Sequence, residues 1–214
     1  MMNDTSAKIA QYLLECEAVK LNVDEPFTWT SGMRSPIYCD NRVTLSYPKI
    51  RQYITNALVK AIQQNFGNAE AIAGVATAGI AQGALIADQM NLPFAYVRPE
   101  PKKHGLKNSI EGRLEAGAKV VVVEDLISTG KSSLKAVEDL RENGIEVIGL
   151  VSIFNYGFVA SDDKFNATKC PYISLSNFND LAKVAISSHY ITTSQAEKIA
   201  LWSKDPQAWS DAIK

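Results

Sequence analysis

Two adjacent carboxylates, Glu124 and Asp125, follow a run of four valines and are separated by only Leu126 and Ile127 from a hydroxyl-rich stretch, Ser128, Thr129, Gly130, Lys131, Ser132 and Ser133. Ionised carboxylates only accept hydrogen bonds, so a neighbouring pair suits the vicinal hydroxyls of a sugar or a hydrated magnesium ion. A hydroxyl-rich turn that opens a helix suits an anion, because unpaired backbone N–H groups and the helix dipole point there. Diol acceptors beside a phosphate cradle describe a ribose 5-phosphate. Residues 125–132 come close to the P-loop pattern GxxxxGK[ST], with Gly130, Lys131 and Ser132 in place. However, Asp125 stands where the first glycine is needed, and two carboxylates would repel a triphosphate.

Three further groups could do chemistry. Arg98, Lys102, Lys103, His104 and Lys107 lie in residues 98–112, the longest stretch without apolar periodicity. A loop of that length inside a compact domain is either functional or disordered. Its charge would suit a lid closing over a polyanion, against the plainer reading of a solvated basic loop. Arg34 and Arg42 sit among aromatic and hydroxyl residues where guanidinium groups could grip a planar anion, although composition alone favours a surface hairpin with ordinary ion pairs. Thr77 and Ala78 belong to a turn of small residues, 74–79, that would let phosphates approach the backbone; it does not fit GxGxxG, so it supports no dinucleotide fingerprint.

The elements that must position these groups follow from periodicity. The valines lack the alternation of a half-solvated strand, so 119–123 is expected to be a strand buried on both faces, as in a parallel sheet covered by helices. An acidic turn should follow, then a helix capped by Ser128 or Thr129, with Leu134, Val137 and Leu140 on one side and Gly144 ending it. An amphipathic helix is expected over 7–19, two short strands around a Ser31-Gly32 turn over 27–42, and a helix opened by Ser46 and Pro48 that runs to about Phe66. Strands at 71–75, 93–97, 146–154 and 172–175 alternate with helices at 79–90 and 178–186. Near the C-terminus, Ser194 with Glu197 suggests a capping box, and Trp202, Pro206 and Trp209 a helix, a break and a second short helix. His189 reads as a structural residue near a turn. The β-α-β order predicts an α/β fold with a central, mainly parallel sheet flanked by helices.

Composition sets the limits. With 214 residues, 46% hydrophobic and 21% charged, the chain fits one domain with additions. A net charge of −1 argues against wholesale attraction to nucleic acid or an anionic membrane. Cys16, Cys39 and Cys170 have no metal-like spacing, and no apolar run approaches the roughly 18 residues of a membrane span. A cytoplasmic protein with plain thiols is the expectation.

Residues 121–132 resemble the phosphoribosyl pyrophosphate signature of type I phosphoribosyltransferases. Residues 98–105 are similar to the RxxxKxHG lid of the orotate-specific branch of that family, and residues 27–42 to its N-terminal hood; the similarity runs from about residue 7 to 191. This resemblance implies one domain, 1–214, with a hood at about 1–45, a core at 46–190 carrying a long flexible lid, and a C-terminal helical extension at 191–214. The implied reaction is orotate plus phosphoribosyl pyrophosphate giving orotidine 5′-monophosphate and pyrophosphate, a step toward UMP. It implies magnesium, and a homodimer sharing lid residues across subunits. Carried over by position, Arg98, Lys102 and His104 would contact pyrophosphate and act catalytically, and Glu124 and Asp125 would bind the ribose hydroxyls. Leu126, Ile127, Ser128, Thr129, Gly130, Lys131 and Ser132, with Thr77 and Ala78, would complete the phosphoribosyl pyrophosphate site. Ser128 would also lie beside orotate, and Asp125 is the candidate side chain near magnesium. Several positions depart from the family pattern: Pro99 follows the lid arginine, Thr30 replaces a hood lysine, Lys131 replaces a small residue, and Asn155 and Tyr156 stand where an arginine is expected. Arg34 and Arg42 are the suggested replacements for the missing positive charge. Rival readings are a purine phosphoribosyltransferase, a nucleic-acid-binding sensor of phosphoribosyl pyrophosphate and, weakest, a P-loop ATPase.

Overall fold

Ile9, Ala10, Leu13 and Leu14 recur at helical spacing and form the buried face of α1 (Asp4–Glu15) in the computed structural model, which describes residues 4–29, 31–100 and 109–213. The helix stops short of its apolar pattern. Glu17 turns left-handed at φ 57°, and Val19 opens β1 (Val19–Leu21) instead of closing the helix. The two expected hood strands are β2 (Phe27–Thr28) and β3 (Arg34–Ser35), antiparallel around a turn with Gly32 at φ 83°. A third strand, β4 (Ile37–Cys39), returns to pair with β1, a contact between distant segments that no local pattern announces. A 3-10 turn (Asn41–Ser46) then leads into α2 (Pro48–Asn65). Ser46 is part of that turn and does not cap α2; Tyr47 holds the cap position without a side-chain bond, and Pro48 at the first turn marks the start.

The following elements are β5 (Ala71–Val75), α3 (Gly79–Met90), β6 (Phe94–Val97), β7 (Ile110–Glu111), β8 (Lys119–Ile127), α4 (Lys131–Glu142), β9 (Glu146–Asn155), α5 (Val159–Ala167), β10 (Tyr172–Asn177) and α6 (Phe178–Ser187); they match the expected alternation except for α5 and for β7, a short strand inside the basic stretch expected to be a loop. Six of these strands make one sheet in the order β10-β9-β8-β5-β6-β7. All pairs are parallel except β6 with β7. The central β8 shows why four valines in succession are needed. Val121 and Val123 enter the core beneath α1, α2, α3 and α6, and Val120 and Val122 enter the core beneath α4. All four are 0% exposed.

Helix α5 was not foreseen, because only Ser161 and Phe165 of it are buried and it carries no apolar stripe. The chain ends in α7 (Thr193–Lys204) and α8 (Pro206–Ala212), broken at Asp205 and Pro206 as expected. The capping box is two residues earlier than expected, Thr192 with Gln195. Both registers satisfy the capping pattern; in the structure the Thr192 side chain accepts the Gln195 N–H and the Gln195 side chain accepts the Thr192 N–H. His189 is exposed at φ 58° in the turn after α6. The cysteines are free thiols, and among the described residues no helix is long and apolar enough to cross a membrane.

Candidate active site

β8 continues past the valines through both carboxylates, which are therefore strand residues and not a turn. Its parallel pairing with β9 persists to Glu124 opposite Ser152, Leu126 opposite Phe154 and Ile127 opposite Asn155. Glu124 is 4% exposed. One of its carboxylate oxygens accepts from the Asp125 N–H at 3.1 Å and the other from the Ser133 hydroxyl at 3.0 Å. Burial first, and the neighbouring negative charge of Asp125 second, push the Glu124 carboxyl well above the usual carboxylate range. Burial also raises Asp125, against the Glu124 hydrogen bond and the Arg42 charge that pull it down. Such a pair stores unmet demand for hydroxyl donors or a cation. From the hood, Asn41, 1% exposed, donates its side-chain N–H to the Asp125 backbone carbonyl at 2.7 Å and so fixes the hood to the sheet edge.

Beyond the strand, neither Ser128 nor Thr129 caps α4. Gly130 occupies the cap at φ 74° with no side-chain bond, which leaves N–H groups of the first turn available to a ligand. Only glycine fits there. A Cβ would lie 2.9 Å from the Phe165 ring and 3.1 Å from the Ser161 hydroxyl, so the unforeseen α5 packs directly against this turn. The small-residue turn at the end of β5 has its own steric reason: a Cβ on Gly79 would come 2.4 Å from the Val123 carbonyl oxygen. Close seating of α3 on β8 brings Thr77 and Ala78 to the same edge as Glu124; the Ala76–Thr77 peptide is cis.

Two cavities open along this edge. The smaller, about 430 Å³, is lined by Val75, Ala76, Val97 and Pro99, by residues 126 and 128–132, and by Arg98, Lys135 and Ala136. Three cations, Arg98, Lys131 and Lys135, face it; Arg98 also pairs with Glu111 at 3.3 Å, and Lys135 with Asp139. The larger, about 890 Å³, lies under the hood. Its lining comes from Thr28, Trp29, Ser31, Gly32 and Met33, from Tyr38 and Cys39 of β4, from Tyr156, and from Gln207 and Ser210 of α8. Leu126, Ser128 and Thr129 line both cavities, and among the described residues no charged side chain lines the larger one.

Thus Arg98, Glu124, Asp125, residues 126–132, Thr77 and Ala78 lie at one edge of the sheet, and of these Arg98, Leu126 and residues 128–132 line the smaller cavity, whereas Glu124, Asp125, Ile127, Thr77 and Ala78 line neither. Neither hood arginine lines the larger cavity. Arg42 is held by Asp40 through two N–H donors at 2.7 and 2.9 Å. Arg34 pairs across the hairpin with Thr28, so the two side chains share a face and Arg34 stands next to a cavity residue. Lys102, Lys103, His104, Lys107 and Thr30 lie outside the described residues. The two ends of the basic stretch are nonetheless fixed: the Arg98 N–H donates to the Ser109 carbonyl at 2.8 Å where β6 meets β7. Sequence reasoning missed Trp29, Tyr38, Asn41, Gln207 and Ser210 as site residues, and noted Tyr156 only as a departure. The rings of Trp29 and Tyr156 stack at 5.5 Å, a contact between hood and β9 that no local motif encodes.

Residues 45–188 match the phosphoribosyl transferase domain family. An orotate phosphoribosyltransferase from Cytophaga hutchinsonii is 52% identical over 208 residues, covering 97% of this chain and 99% of that one. The chain belongs to the orotate phosphoribosyltransferase family. Solved structures agree: the orotate phosphoribosyltransferase of Aeropyrum pernix has a TM-score of 0.74 at 29% identity, over 86% of this chain and 99% of that one. The UMP synthase of Leishmania donovani has a TM-score of 0.79 at 27% identity, over 92% of this chain and 42% of that one. Likeness to the orotate phosphoribosyltransferase family includes the hood and the C-terminal helices, whereas the general phosphoribosyl transferase match omits both. These are the segments that supply most of the larger cavity. The P-loop reading falls with this result.

Proposed function

We propose that the chain transfers the 5-phosphoribosyl group of phosphoribosyl pyrophosphate to orotate, releasing pyrophosphate and forming orotidine 5′-monophosphate on the way to UMP. One observation carries the reading: a cation-lined cavity and an uncharged aromatic cavity meet at Ser128 and Thr129, beside paired carboxylates. In this assignment the first turn of α4 and residues 128–132 hold the 5′-phosphate. Glu124 and Asp125 accept the ribose hydroxyls. Arg98, with Lys102 and His104, takes the pyrophosphate, and orotate lies in the larger cavity against Trp29 and Tyr156. Of the two hood arginines, Arg34, which makes no ion pair among the described residues, is the better placed for the orotate carboxylate.

The ring nitrogen of orotate attacks C1 of the ribose from the face opposite the leaving group, and its proton passes to the departing pyrophosphate or to water. The C1–O bond breaks, and its electron pair leaves on pyrophosphate. Arg98, Lys102 and His104 stabilise that growing negative charge, the term that commonly dominates such catalysis. Among the described residues no group of three or more His, Cys, Asp or Glu is placed to hold a metal, so magnesium fits as an ion carried by the diphosphate and water, with Asp125 the nearest suitable side chain. When bound it would neutralise charge on the leaving group. A cytoplasmic homodimer sharing lid residues completes the proposal; mixing two inactive variants, one altered in the lid and one at Glu124, should restore turnover if sites are shared. The direct test is pyrophosphate release with orotate, adenine, hypoxanthine, xanthine or uracil as acceptor, with and without magnesium. Release with a purine and none with orotate would overturn the reading.

A further inference from the structure

One wall of the larger cavity belongs to neither the strand-turn-helix nor the hood. Helix α8 presents Gln207 and Ser210 to it, one helical turn apart. The helix is anchored from several sides. Pro206 opens it, and the Asp205 side chain accepts the Ala208 N–H at 2.9 Å. Ser210, 0% exposed, accepts the backbone N–H of Arg34 at 2.9 Å and so ties α8 to the hood. Just before it, Trp202 is also 0% exposed, with its ring 5.9 Å from Trp29 and 5.6 Å from Tyr156, both cavity residues. Gln207 therefore stands on a fixed support.

Its carboxamide is oriented as well. The Nε2 group donates to Asp211 Oδ2 at 3.0 Å, one turn further on. This leaves Oε1 and the second N–H without a protein partner among the described residues. The orotate ring offers, away from its carboxylate, an imide edge in which N3–H is flanked by two carbonyls. A carboxamide complements that edge: its oxygen accepts N3–H while its N–H donates to an adjacent carbonyl. No charged side chain competes for this edge among the described lining residues. Resting on the orotate reading above, we infer that Gln207 of the C-terminal helix reads the imide edge of the base and determines base specificity.

The experiment compares wild type, Gln207→Ala and Gln207→Glu in steady-state kinetics with orotate and with N3-methylorotate, which lacks the donor. Gln207→Ala should raise KM for orotate about tenfold and leave KM for phosphoribosyl pyrophosphate within about twofold. Its preference for orotate over N3-methylorotate should fall by about the same factor, a change that a merely structural role would not produce. Gln207→Glu keeps the shape but replaces the donor by a negative charge, and should raise KM further. Because Gln207 is exposed, both variants should keep the wild-type Tm. Unchanged KM and unchanged preference would overturn the inference, as would parallel loss of both substrates together with a lowered Tm. Wild type lacking orotate turnover would instead sink the parent reading.

Discussion

The two cavities that meet at Ser128 and Thr129 are built by different means. The smaller is local: β8, its turn and the start of α4 are continuous in sequence, and β5 and β6 lie beside them in the sheet. The larger is assembled from the hood, the end of β9 and α8, segments brought together only by folding. In the proposed assignment, the difference separates a phosphoribosyl side, a charged edge of one sheet, from a base side, an uncharged cavity lined by hood and C-terminal residues. It also predicts that mutations on the two sides will fail differently.

The largest effect is expected at the lid. Lys102→Ala should lower kcat by about 10²-fold or more while orotate binding, measured by calorimetry, stays near normal; near-normal turnover would break the assignment of polyanion chemistry to that side. Gly79→Ala tests the scaffold of the same side. Its Cβ would collide with the Val123 carbonyl, and the chain should lose about 2–3 kcal/mol, lowering Tm by about 5–10 °C. An unchanged Tm would show that α3 can retreat from β8.

Glu124→Gln should separate stability from function. A carboxyl whose pKa is raised by folding keeps a proton that the unfolded chain has released, so stability falls as pH rises from the ordinary Glu value toward the raised one. The variant has no such proton to lose. Without ligand, its Tm should vary less with pH than that of wild type above the ordinary Glu value, while turnover drops. A Tm that tracks wild type across pH would refute the buried-charge account. The smallest effects belong to the hood arginines: Arg34→Ala should raise KM for orotate about threefold to tenfold, whereas Arg42→Ala, which loses an exposed ion pair with Asp40, should change stability by less than about 1 kcal/mol. A larger rise in KM for orotate in Arg42→Ala than in Arg34→Ala would move the carboxylate contact to Arg42.

The same division explains what could be read from sequence. Four valines announced their strand because the signal lies within one element, but its end was read too early: Glu124 and Asp125, expected in a turn, continue the strand to Ile127 because pairing with β9 persists there. The cap of α4 was misplaced because Ser128 and Thr129 satisfy a capping rule that Gly130 overrides through its left-handed conformation and the Phe165 ring packed against it. Asn41 could not be found at all, since its partner is a backbone carbonyl of β8. Nor could β4, whose pairing with β1 depends on the chain turning back. The C-terminal helices are legible as helices, but nothing in residues 193–212 signals that two of their side chains line the larger cavity.

Trp29 lines that cavity and stacks on Tyr156, while Trp202 is sealed in the aromatic cluster behind it and Trp209 is only partly buried. The molecule thus carries an optical gauge of its own. Emission from Trp29 is open to quenching by whatever enters beneath the hood, and Trp202, only 5.9 Å away, shares its excitation, so occupancy of the larger cavity can be followed without any label.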